Sequence, residues 1–475
     1  MWGSTGAVQT GAPAAVELLL ACLQFLRHEL LLFASFWFIL GALDELAIDG
    51  LWVVLRLAGK AKDGTIRQDE ETRPLMGRAA ILVPAWQESE VIGLMIAHTL
   101  RAWPQDDLTL FVGCYRNDPG TVAAAKKGTG GDRRVRLVIH EKAGPTTKAD
   151  CLNRLYAALT EEETRSGSQF RTVTLHDAED MVHPAALGLI DRALAEVDFV
   201  QLPVRPEPQP RSPWVAGHYS DEFTEAHAKA LVVRNALGAG IPAAGVGCGF
   251  SRAALARLAS RSAGGPFAAD SLTEDYELGL LVSREGKSRF LRVRDHLGEL
   301  VATRAYFPGR LEESVRQKAR WIHGIAFQGW DRMGWSGRVI EIWMALRDRR
   351  GPLTAIVLAA AYTLLLIETA LAICAWLGWH VADATDPLLE AMLAISFASF
   401  AWRALFRFGF TAREYGLGEG VRAVLRIPVA NVIAILAGRR AISAYVHSLR
   451  GGEVGWDKTR HSDHPTSGAY GTVGR

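Results

Sequence analysis

Long apolar runs near both ends of the chain, with a polar region between them, constrain this sequence most. A membrane-spanning helix needs about 20 mostly apolar residues. One such run is Leu30–Val54, and two more are Pro352–Trp379 and Leu388–Phe406. We predict a spanning helix at each, with Ala14–Leu26 as an extension of the first or as an interfacial helix. The apolar segment Ile427–Ala437 is short and flanked by arginines, so we expect it to be interfacial or re-entrant.

Basic residues are distributed unevenly around these runs. Lys and Arg follow the first run, precede the second and follow the third, whereas His380–Pro387 contains neither. Because cytoplasmic loops carry the excess of basic residues, we expect the central region and the tail to face the cytoplasm. No basic segment precedes the apolar residues that begin at Ala14, so a cleaved signal peptide is the weaker interpretation.

The overall charge and the cysteines exclude several classes of protein. Lys and Arg number 53 and Asp and Glu 51, which gives a net charge of +2. This balance argues against a strongly basic nucleic-acid-binding protein. The five cysteines are scattered and form no CxxC pair. We therefore expect neither a disulfide framework nor a zinc site.

The central region has the pattern of a soluble α/β domain. Lys60–Gly77 is polar and indicates a linker, and short β-branched runs then alternate with helical stretches, for example Glu90–Leu100 and Lys148–Thr160. This alternation predicts a mostly parallel sheet, whose ligands bind at the carboxyl ends of the strands. The predicted strands are Ala79–Val83, Leu108–Cys114, Val135–His140, Thr172–Leu175 and Phe199–Val204.

The residues that follow the first four strands carry charge. Asp177, Glu179 and Asp180 follow the fourth strand. Acids so close together repel one another unless a cation lies among them, and carboxylate oxygens suit Mg²⁺ or Mn²⁺. A solvated acidic turn is the alternative. No G-x-G-x-x-G or Walker A pattern occurs, which disfavours a dinucleotide or P-loop site.

Two later segments combine charge with local structure. Ser271–Glu277 could supply a general base, or its acids could simply favour the start of a helix that Thr273 caps. Arg316–Trp321 could neutralise a diphosphate and stack on a sugar, or it could be a basic patch beside lipid headgroups.

Taken in order, these segments resemble the processive family 2 glycosyltransferases, the group of cellulose and hyaluronan synthases. In fine detail the chain is similar to the bacteriophage adsorption protein B group of inner-membrane glycosyltransferases. The strings that carry the resemblance are VPAWQE, YRNDPG, GPTTKADCLN, LHDAED, AGVGCGFSR, SLTEDYELG, YFPG, VRQKARWIHGI and WDKT.

The resemblance implies a cytoplasmic GT-A domain that binds a UDP-sugar, with flanking transmembrane helices. It places Glu88 and Asp118 at the uridine and Lys148 near the diphosphate. It makes Asp177 and Glu179 the DxD motif that holds Mg²⁺ or Mn²⁺, with Asp180 as a further candidate ligand.

The later motifs receive roles in the same way. Asp275 matches the general base of the Thr-Glu-Asp motif, in which Glu274 precedes it, and Arg320 matches the residue that holds the diphosphate. The resemblance assigns the acceptor to five residues: Cys248, Gly249, Phe250, Gln317 and Trp321.

The implied function is inverting transfer of a hexose or an N-acetylhexosamine to a growing polysaccharide at the bacterial inner membrane. The alternatives are single-sugar transfer to a lipid carrier, and a non-catalytic component of an export or phage-receptor complex. Few spans make a thin channel, so polymer export would need a second copy of the chain or an outer-membrane partner. Membrane lipids are expected partners and nucleic acid is not. A transporter is disfavoured because few acids lie within the spans.

These expectations divide the chain into five parts. They are an N-terminal transmembrane region 1–58, a linker 59–77, a GT-A domain 78–345, C-terminal transmembrane or interfacial helices 346–450, and a cytoplasmic polar tail 451–475. Because the chain ends soon after Trp456–Thr459, we expect the C-terminal regulatory domain found in members of that group to be absent.

Overall fold

The computed structural model describes residues 14–262, 264–335, 337–379, 387–451 and 464–465. The chain divides into two compact units, one of residues 1–47 and 353–405 and the other of residues 48–352 and 406–475. Most of the predicted outward loop, and most of the predicted tail, lie outside the described residues.

The helices are listed here in chain order. They are α1 (Ala14–Leu57), α2 (Ile92–Ala102), α3 (Pro119–Thr129), α4 (Lys148–Ser166), α5 (Ala186–Ala193), α6 (Gly217–Glu225), α7 (Leu231–Ala236), α8 (Arg252–Ala259), α9 (Glu274–Glu285), α10 (Leu311–Ile322), α11 (Gly329–Met333), α12 (Val339–Arg349), α13 (Gly351–Trp376), α14 (Pro387–Tyr415), α15 (Leu417–Leu425) and α16 (Ile427–Leu449). A 3₁₀ turn covers Gln68–Glu71, and π-helical turns, Ala226–Ala230 and His323–Gln328, join α6 to α7 and α10 to α11.

Four helices of the described residues are long and apolar enough to cross a membrane, judged by length and composition: α1, α13, α14 and α16. Helices α1 and α14 contain their predicted spans, and α13 covers its predicted span except for the last three residues, 377–379. The helix that begins at Ile427 is longer than the apolar segment Ile427–Ala437, because it continues through Arg439 and Arg440 to Leu449. The interfacial or re-entrant placement of that segment stays a prediction. The apolar count stopped at the arginines, whereas a helix continues through them.

Two ion pairs join charged side chains of the apolar helices in the first unit. Arg27 of α1 forms an ion pair with Glu368 of α13, and Arg403 of α14 lies 2.6 Å from Glu45 of α1. Ionisable groups are costly in hydrocarbon unless they are paired. These two pairs account for Glu45, Glu368 and Arg403 among the charges that the sequence places within apolar runs.

The strands of the second unit form one large and two small sheets. They are β1 (Gly64–Thr65), β2 (Arg78–Pro84), β3 (Leu108–Tyr115), β4 (Val135–His140), β5 (Phe170–Leu175), β6 (Phe199–Gln201), β7 (Val204–Pro206), β8 (Cys248–Ser251), β9 (Ser288–Phe290), β10 (Val293–Arg294) and β11 (Thr303–Ala305). Within the described residues, the large sheet has the order β4-β3-β2-β5-β8-β6-β9, and β1 pairs with β10 and β7 with β11.

The large sheet is parallel on one side and mixed on the other. Strands β4, β3, β2 and β5 are mutually parallel, whereas β8 runs antiparallel between β5 and β6. The prediction of a mostly parallel α/β sheet is therefore confirmed for four strands. The fifth predicted strand ends at Gln201, and its last residue begins β7 in another sheet. The sequence analysis did not identify β8, which is a four-residue strand with a glycine inside it.

Alternation along the strands puts apolar residues on both faces of this sheet. In β2, Ile81 and Val83 belong to one core cluster, with α2 and α5, while Leu82 belongs to the other, with α4 and α8. Side chains alternate between faces of a strand, so two buried faces require a continuous apolar run. Because both faces are covered, ligands reach the sheet at the carboxyl ends of its strands.

Candidate active site

A cleft of about 810 Å³, counting the open solvent at its mouth, lies at the carboxyl ends of β2, β3 and β5. The cleft is lined by nine of the residues predicted to act in the site: Glu88, Lys148, Asp177, Glu179, Glu274, Asp275, Gln317, Arg320 and Trp321. The structure thus brings together segments that are more than 200 positions apart in the sequence.

Lys148 links the acid turn after β5 to the rest of the cleft. It is the first residue of α4, and its Nζ lies 2.6 Å from Oδ1 of Asp177. Burial lowers the pKa of Lys148, but the charges of Asp177, Glu274 and Asp275 outweigh it and raise the pKa above its usual value. Lys148 is therefore a fixed cation among three carboxylates.

The acid turn is held in shape by its own last residue. Asp180 is buried, and its Oδ2 accepts hydrogen bonds from His176 Nδ1 at 2.9 Å and from the Asp177 backbone N–H at 3.0 Å. Burial raises the pKa of Asp180 despite these contacts. Asp177 and Glu179 line the cleft, whereas Asp180 is not among the lining residues of the described chain. These contacts favour a positioning role for Asp180, and its predicted metal contact stays a prediction.

A residue of the predicted tail also contacts this turn. His464 is buried, and its Nε2 lies 3.2 Å from the backbone oxygen of Asp180, which can accept its proton. The centroid of its ring lies 6.5 Å from that of His98. The Nε2 atom of His98 in turn lies 2.9 Å from the backbone oxygen of Val182. No pattern in the sequence pointed to this contact.

The predicted base lies at the start of α9. Glu274 is buried and Asp275 is partly exposed to the cleft. Burial and the charge of Asp275 raise the pKa of Glu274 to about 7, and burial likewise raises the pKa of Asp275. Asp275 Oδ1 accepts the N–H of Tyr276 at 2.7 Å, which fixes the carboxylate relative to its own helix. A raised pKa strengthens a carboxylate as a proton acceptor.

The segment that carries this base is anchored at two points. Leu272 donates its backbone N–H to Gln328 Oε1 at 2.9 Å. Tyr276 donates its hydroxyl proton to Asp348 at 2.8 Å, and Arg234 binds the same carboxylate through two hydrogen bonds of 2.8 and 2.9 Å. The segment around Asp275 is therefore held by the π-helical turn after α10, which contains Gln328, and by the end of α12, which contains Asp348.

Gly245 is a site residue that the sequence analysis did not single out. It has a φ of +76°, and a Cβ added there would lie 2.2 Å from Asp275 Oδ2 and 3.3 Å from Lys148 Nζ. The backbone of the loop 244–247 thus lies directly against both Asp275 and Lys148. The two nearby glycines in the quoted string AGVGCGF were the available signal, because only glycine allows such an approach at positive φ.

The basic helix α10 presents its predicted residues to the cleft. Gln317, Arg320 and Trp321 recur at the spacing that places them on one side of a helix. Gln317 Oε1 is buried and has no hydrogen-bond partner among the described residues. The ring of Trp321 lies 6.1 Å from that of Tyr219 and 6.2 Å from that of Phe223, which leaves it supported from behind.

Two residues predicted to contact uridine organise the loop after β2. Asp118 caps α3 by accepting the Thr121 N–H at 3.3 Å, and its other oxygen accepts the Gln87 N–H at 2.6 Å. Glu88 is buried at the cleft wall, and its backbone N–H donates to Thr121 Oγ1 at 2.9 Å. Asp118 is outside the cleft lining among the described residues, so its contact with a nucleotide stays a prediction.

The three residues of the string CGF lie inside the sheet. Cys248 and Phe250 are fully buried, and the Phe250 ring stacks on Phe199 at 4.7 Å. A Cβ on Gly249 would lie 2.1 Å from a methyl group of Ile190. None of the three is a cleft-lining residue in the described part of the chain. Their present contacts are those of a core strand, and their predicted acceptor role stays a prediction.

Aromatic rings complete the cleft wall on the side of β3. Trp86 packs edge-on against Tyr115 at 5.1 Å, and Tyr115 stacks on His140. A Cβ on Gly144 would lie 2.5 Å from the Trp86 ring, so the loop before α4 lies flat against that ring. The sequence analysis quoted Trp86 and Tyr115 without assigning them a role, since a lone aromatic carries no spacing signal.

Known proteins match this chain over the region that contains the cleft. The family model described as "Glycosyltransferase like family 2" matches residues 77–324. Bacteriophage adsorption protein B of Escherichia coli K12 is 33% identical in an alignment of 454 residues that covers 90% of this chain and 61% of that protein. Bacteriophage N4 adsorption protein B of E. coli O157:H7 matches to the same extent. The chain thus spans about three fifths of the length of these curated relatives.

Solved structures give a more distant comparison. A mannosyltransferase from Pyrobaculum calidifontis, in complex with GDP-Man and Mn²⁺, is 18% identical, with 83% of this chain and 98% of that chain covered and a TM-score of 0.45. Glucosyl-3-phosphoglycerate synthase of Mycobacterium tuberculosis is 19% identical, with coverage of 55% and 81% and a TM-score of 0.33.

Proposed function

Because the chain belongs to glycosyltransferase family 2, we propose that it transfers a sugar from a UDP-sugar to a growing polysaccharide with inversion at the anomeric carbon. Its transferase activity follows from the family, and its GT-A domain carries the cleft described above. The identity of the donor and acceptor, the inversion at the anomeric carbon and the dependence on a metal ion go beyond the family and are proposed here. We further propose that the chain lies in a bacterial inner membrane with this domain on the cytoplasmic side.

One observation carries the proposal: a base and cations for a diphosphate lie together in a single cleft. The backbone of Gly245 lies against both Asp275 Oδ2 and Lys148 Nζ, and Arg320 lines the same cleft. Inverting transfer needs a base to take the proton of the acceptor hydroxyl, and it needs positive charge beside the leaving diphosphate. Asp275 supplies the first, and Lys148 and Arg320 supply the second.

The proton transfer balances without a covalent enzyme intermediate. Asp275 accepts the proton of the attacking hydroxyl as the new glycosidic bond forms and the bond to the nucleoside diphosphate breaks. The raised pKa of Asp275 supports this step, because a stronger base is better matched to the hydroxyl. Gln317 offers a buried oxygen with no partner in the described residues, which suits a sugar hydroxyl donor.

The acids of the cleft fit a divalent ion. Asp177 and Glu179 present oxygen donors to the cleft on one turn, and Asp180 braces that turn from within. Two carboxylates leave room for the phosphate oxygens and water that Mg²⁺ prefers, and Mn²⁺ takes similar ligands. When bound, such an ion would neutralise charge on the leaving diphosphate. Lys148, which pairs with Asp177, then supplies a second positive charge beside the diphosphate.

A donor panel tests this proposal. The protein in nanodiscs is incubated with radiolabelled UDP-glucose, UDP-galactose, UDP-N-acetylglucosamine and GDP-mannose, with Mg²⁺, Mn²⁺ or chelator, and nucleotide release and labelled product are measured. We expect turnover with one UDP-sugar, loss of turnover with chelator, and loss of turnover in Asp177→Asn.

The matched control is Asp270→Asn, which removes an exposed acid that pairs with Arg332 outside the cleft lining. Its turnover should stay within about twofold of wild type, since surface substitutions cost little. Equal turnover in Asp177→Asn and wild type would refute the donor site. Turnover with GDP-mannose alone would refute the uridine assignment. Binding of every donor without turnover would favour a non-catalytic component of an export or phage-receptor complex.

A further inference from the structure

A groove runs between α10 and α16, on the side of α10 away from the cleft. Its empty volume is about 1110 Å³, counting the open solvent. Leu311 and Val315 of α10 and Leu436 of α16 form apolar walls, and Arg439 and Arg440 line the same groove. We call this feature the α10–α16 groove. It combines apolar walls with two exposed arginine side chains, and Glu312 is the acidic residue among the lining residues of the described chain.

The two arginines near the middle of α16 make the hydrocarbon centre of a membrane an unfavourable place for this helix. Arg439 and Arg440 lie near the middle of α16 and are exposed. Each would cost about 2.5–3.5 kcal/mol at the centre of a spanning helix. In addition, Ala437 and Ala441 of α16 pack closely on Ala319 of α10. A helix held against the catalytic unit, with arginines at its middle, is suited to the headgroup level of a membrane.

The neighbouring helix α15 supports the same placement. Leu417, Val421 and Leu425 recur at the spacing of one helical face, and all three are exposed. The helix itself is fixed to the catalytic unit, because the buried Arg426 that follows it binds Asp221 through two hydrogen bonds of 2.8 and 2.6 Å. An exposed apolar stripe on a fixed helix next to α16 is typical of a surface that lies on lipid.

We propose that the α10–α16 groove binds one anionic phospholipid of the membrane. Its phosphate pairs with Arg439 and Arg440, and an acyl chain lies along Leu311, Val315 and Leu436. Guanidinium groups bind phosphate by charge-assisted hydrogen bonds. A diffuse attraction to anionic lipid would need only charge, whereas an apolar groove beside the charges selects a molecule that has both parts.

The site would also act on the cleft through α10. Gln317 and Trp321 lie two and six positions after Val315, which places them on nearly the opposite face of the helix. A lipid seated in the groove packs against α10 from behind and stabilises its docking on α16. We therefore expect anionic lipid to raise turnover as well as to bind.

Lipid retention tests the site without any sugar donor, so its outcome does not depend on the proposed function. The full chain is purified from nanodiscs that contain equal amounts of phosphatidylglycerol and phosphatidylcholine, and the retained lipid is counted by native mass spectrometry. We expect wild type to retain one phosphatidylglycerol, at least tenfold above phosphatidylcholine. Arg439→Gln with Arg440→Gln should reduce this retention at least tenfold.

Two further variants separate a built site from general charge or misfolding. Arg133→Gln with Arg165→Gln removes two exposed charges elsewhere on the catalytic unit and should leave retention unchanged. Ser443→Glu keeps both arginines but adds a carboxylate to the groove, and it should weaken retention if the groove is the site.

Three results would overturn the proposal. They are equal retention of the two lipids, equal loss in the Arg133 and Arg165 control, and full displacement of the lipid by millimolar inorganic phosphate. The last result would mean that the groove recognises phosphate and not the lipid.

Discussion

Replacing Gly245 with alanine should disable the base without dismantling the cleft. The added Cβ would lie 2.2 Å from Asp275 Oδ2, where ordinary contact begins near 3.4 Å. The carboxylate must therefore move by about 1.2 Å, and a misplacement of about 1 Å can cost roughly 100-fold in rate. We expect kcat to fall about 100-fold or more, and to fall further than the donor affinity.

The backbone cost of this change can be separated from its effect on the base. Gly245 has a φ of +76°, so alanine there carries about 1–2 kcal/mol of strain. Gly298 has a φ of +83° and nothing within 4 Å of an added Cβ. Gly298→Ala is therefore a control with similar strain and no clash. Both variants should lose comparable free energy of unfolding, and only Gly245→Ala should lose turnover.

The assay is nucleotide release at saturating donor, with thermal unfolding of each variant measured on the same preparation. A kcat for Gly245→Ala within threefold of Gly298→Ala would refute the placement of Asp275 as the base beside this loop. A large loss of kcat in both variants would show that backbone strain, and not contact with Asp275, is the cause.

Three further changes probe the site and the core. The folded state raises the pKa of Glu274 from 4.5 to about 7, so above pH 4.5 the unfolded chain gives up a proton that the folded chain keeps, and stability falls as pH rises through this window. Glu274→Gln should therefore raise the free energy of unfolding relative to wild type, by at most about 3 kcal/mol at pH 8 and by little at pH 4. Denaturant titration at both pH values measures this difference. A gain that does not depend on pH would contradict the reasoning. Phe250→Ala should cost about 3–5 kcal/mol of stability, because the ring is buried on Phe199, and should leave the KM for acceptor unchanged, so a raised KM without lost stability would restore the acceptor role. Asp221→Asn should cost about 1.5–3 kcal/mol, because it removes the carboxylate that accepts two hydrogen bonds from the buried Arg426 and leaves Glu419 as the remaining charge partner. A double replacement by Asp221→Leu and Arg426→Met should be less destabilising than this single change, since Glu419 then keeps Arg422; additive losses would argue against a coupled pair.

The strand ends were predictable from the sequence because each obeys a local rule. A β-branched run followed by Asp177–Asp180 indicates a strand and then an acid turn, and parallel strands bring their carboxyl ends to one edge. Lys148 and Glu88 reached the cleft for the same reason. Gln317, Arg320 and Trp321 were predictable through their shared helical spacing and the family resemblance.

The remaining contacts depend on tertiary packing that no local pattern encodes. Asp118 was predicted from the sequence to contact uridine. In the structure one of its oxygens caps α3 and the other accepts the N–H of Gln87. Phe250 follows glycines in a string typical of a site, yet its ring is in the core because β8 inserts antiparallel beside β5. Gly245 was not identified because its role depends on where Asp275 lies, 30 residues later in the sequence.

The length of α16 shows a different limit. An apolar run ends at the first charge, whereas a helix ends only where its backbone changes direction. Arg439 and Arg440 can remain in the helix because their side chains are exposed, while Ala437 and Ala441 on the same helix pack against α10. Hydropathy alone therefore ends this element at Ala437, near the middle of the helix, whereas the helix ends at Leu449.

Single-turnover transfer by Asp275→Asn, with donor affinity measured on the same sample, tests the central claim most directly. If Asp275 takes the acceptor proton, the variant should bind its nucleotide sugar within about threefold of wild type and transfer it at least 100-fold more slowly. Transfer at the wild-type rate would contradict the account, because no base function could then be assigned to Asp275.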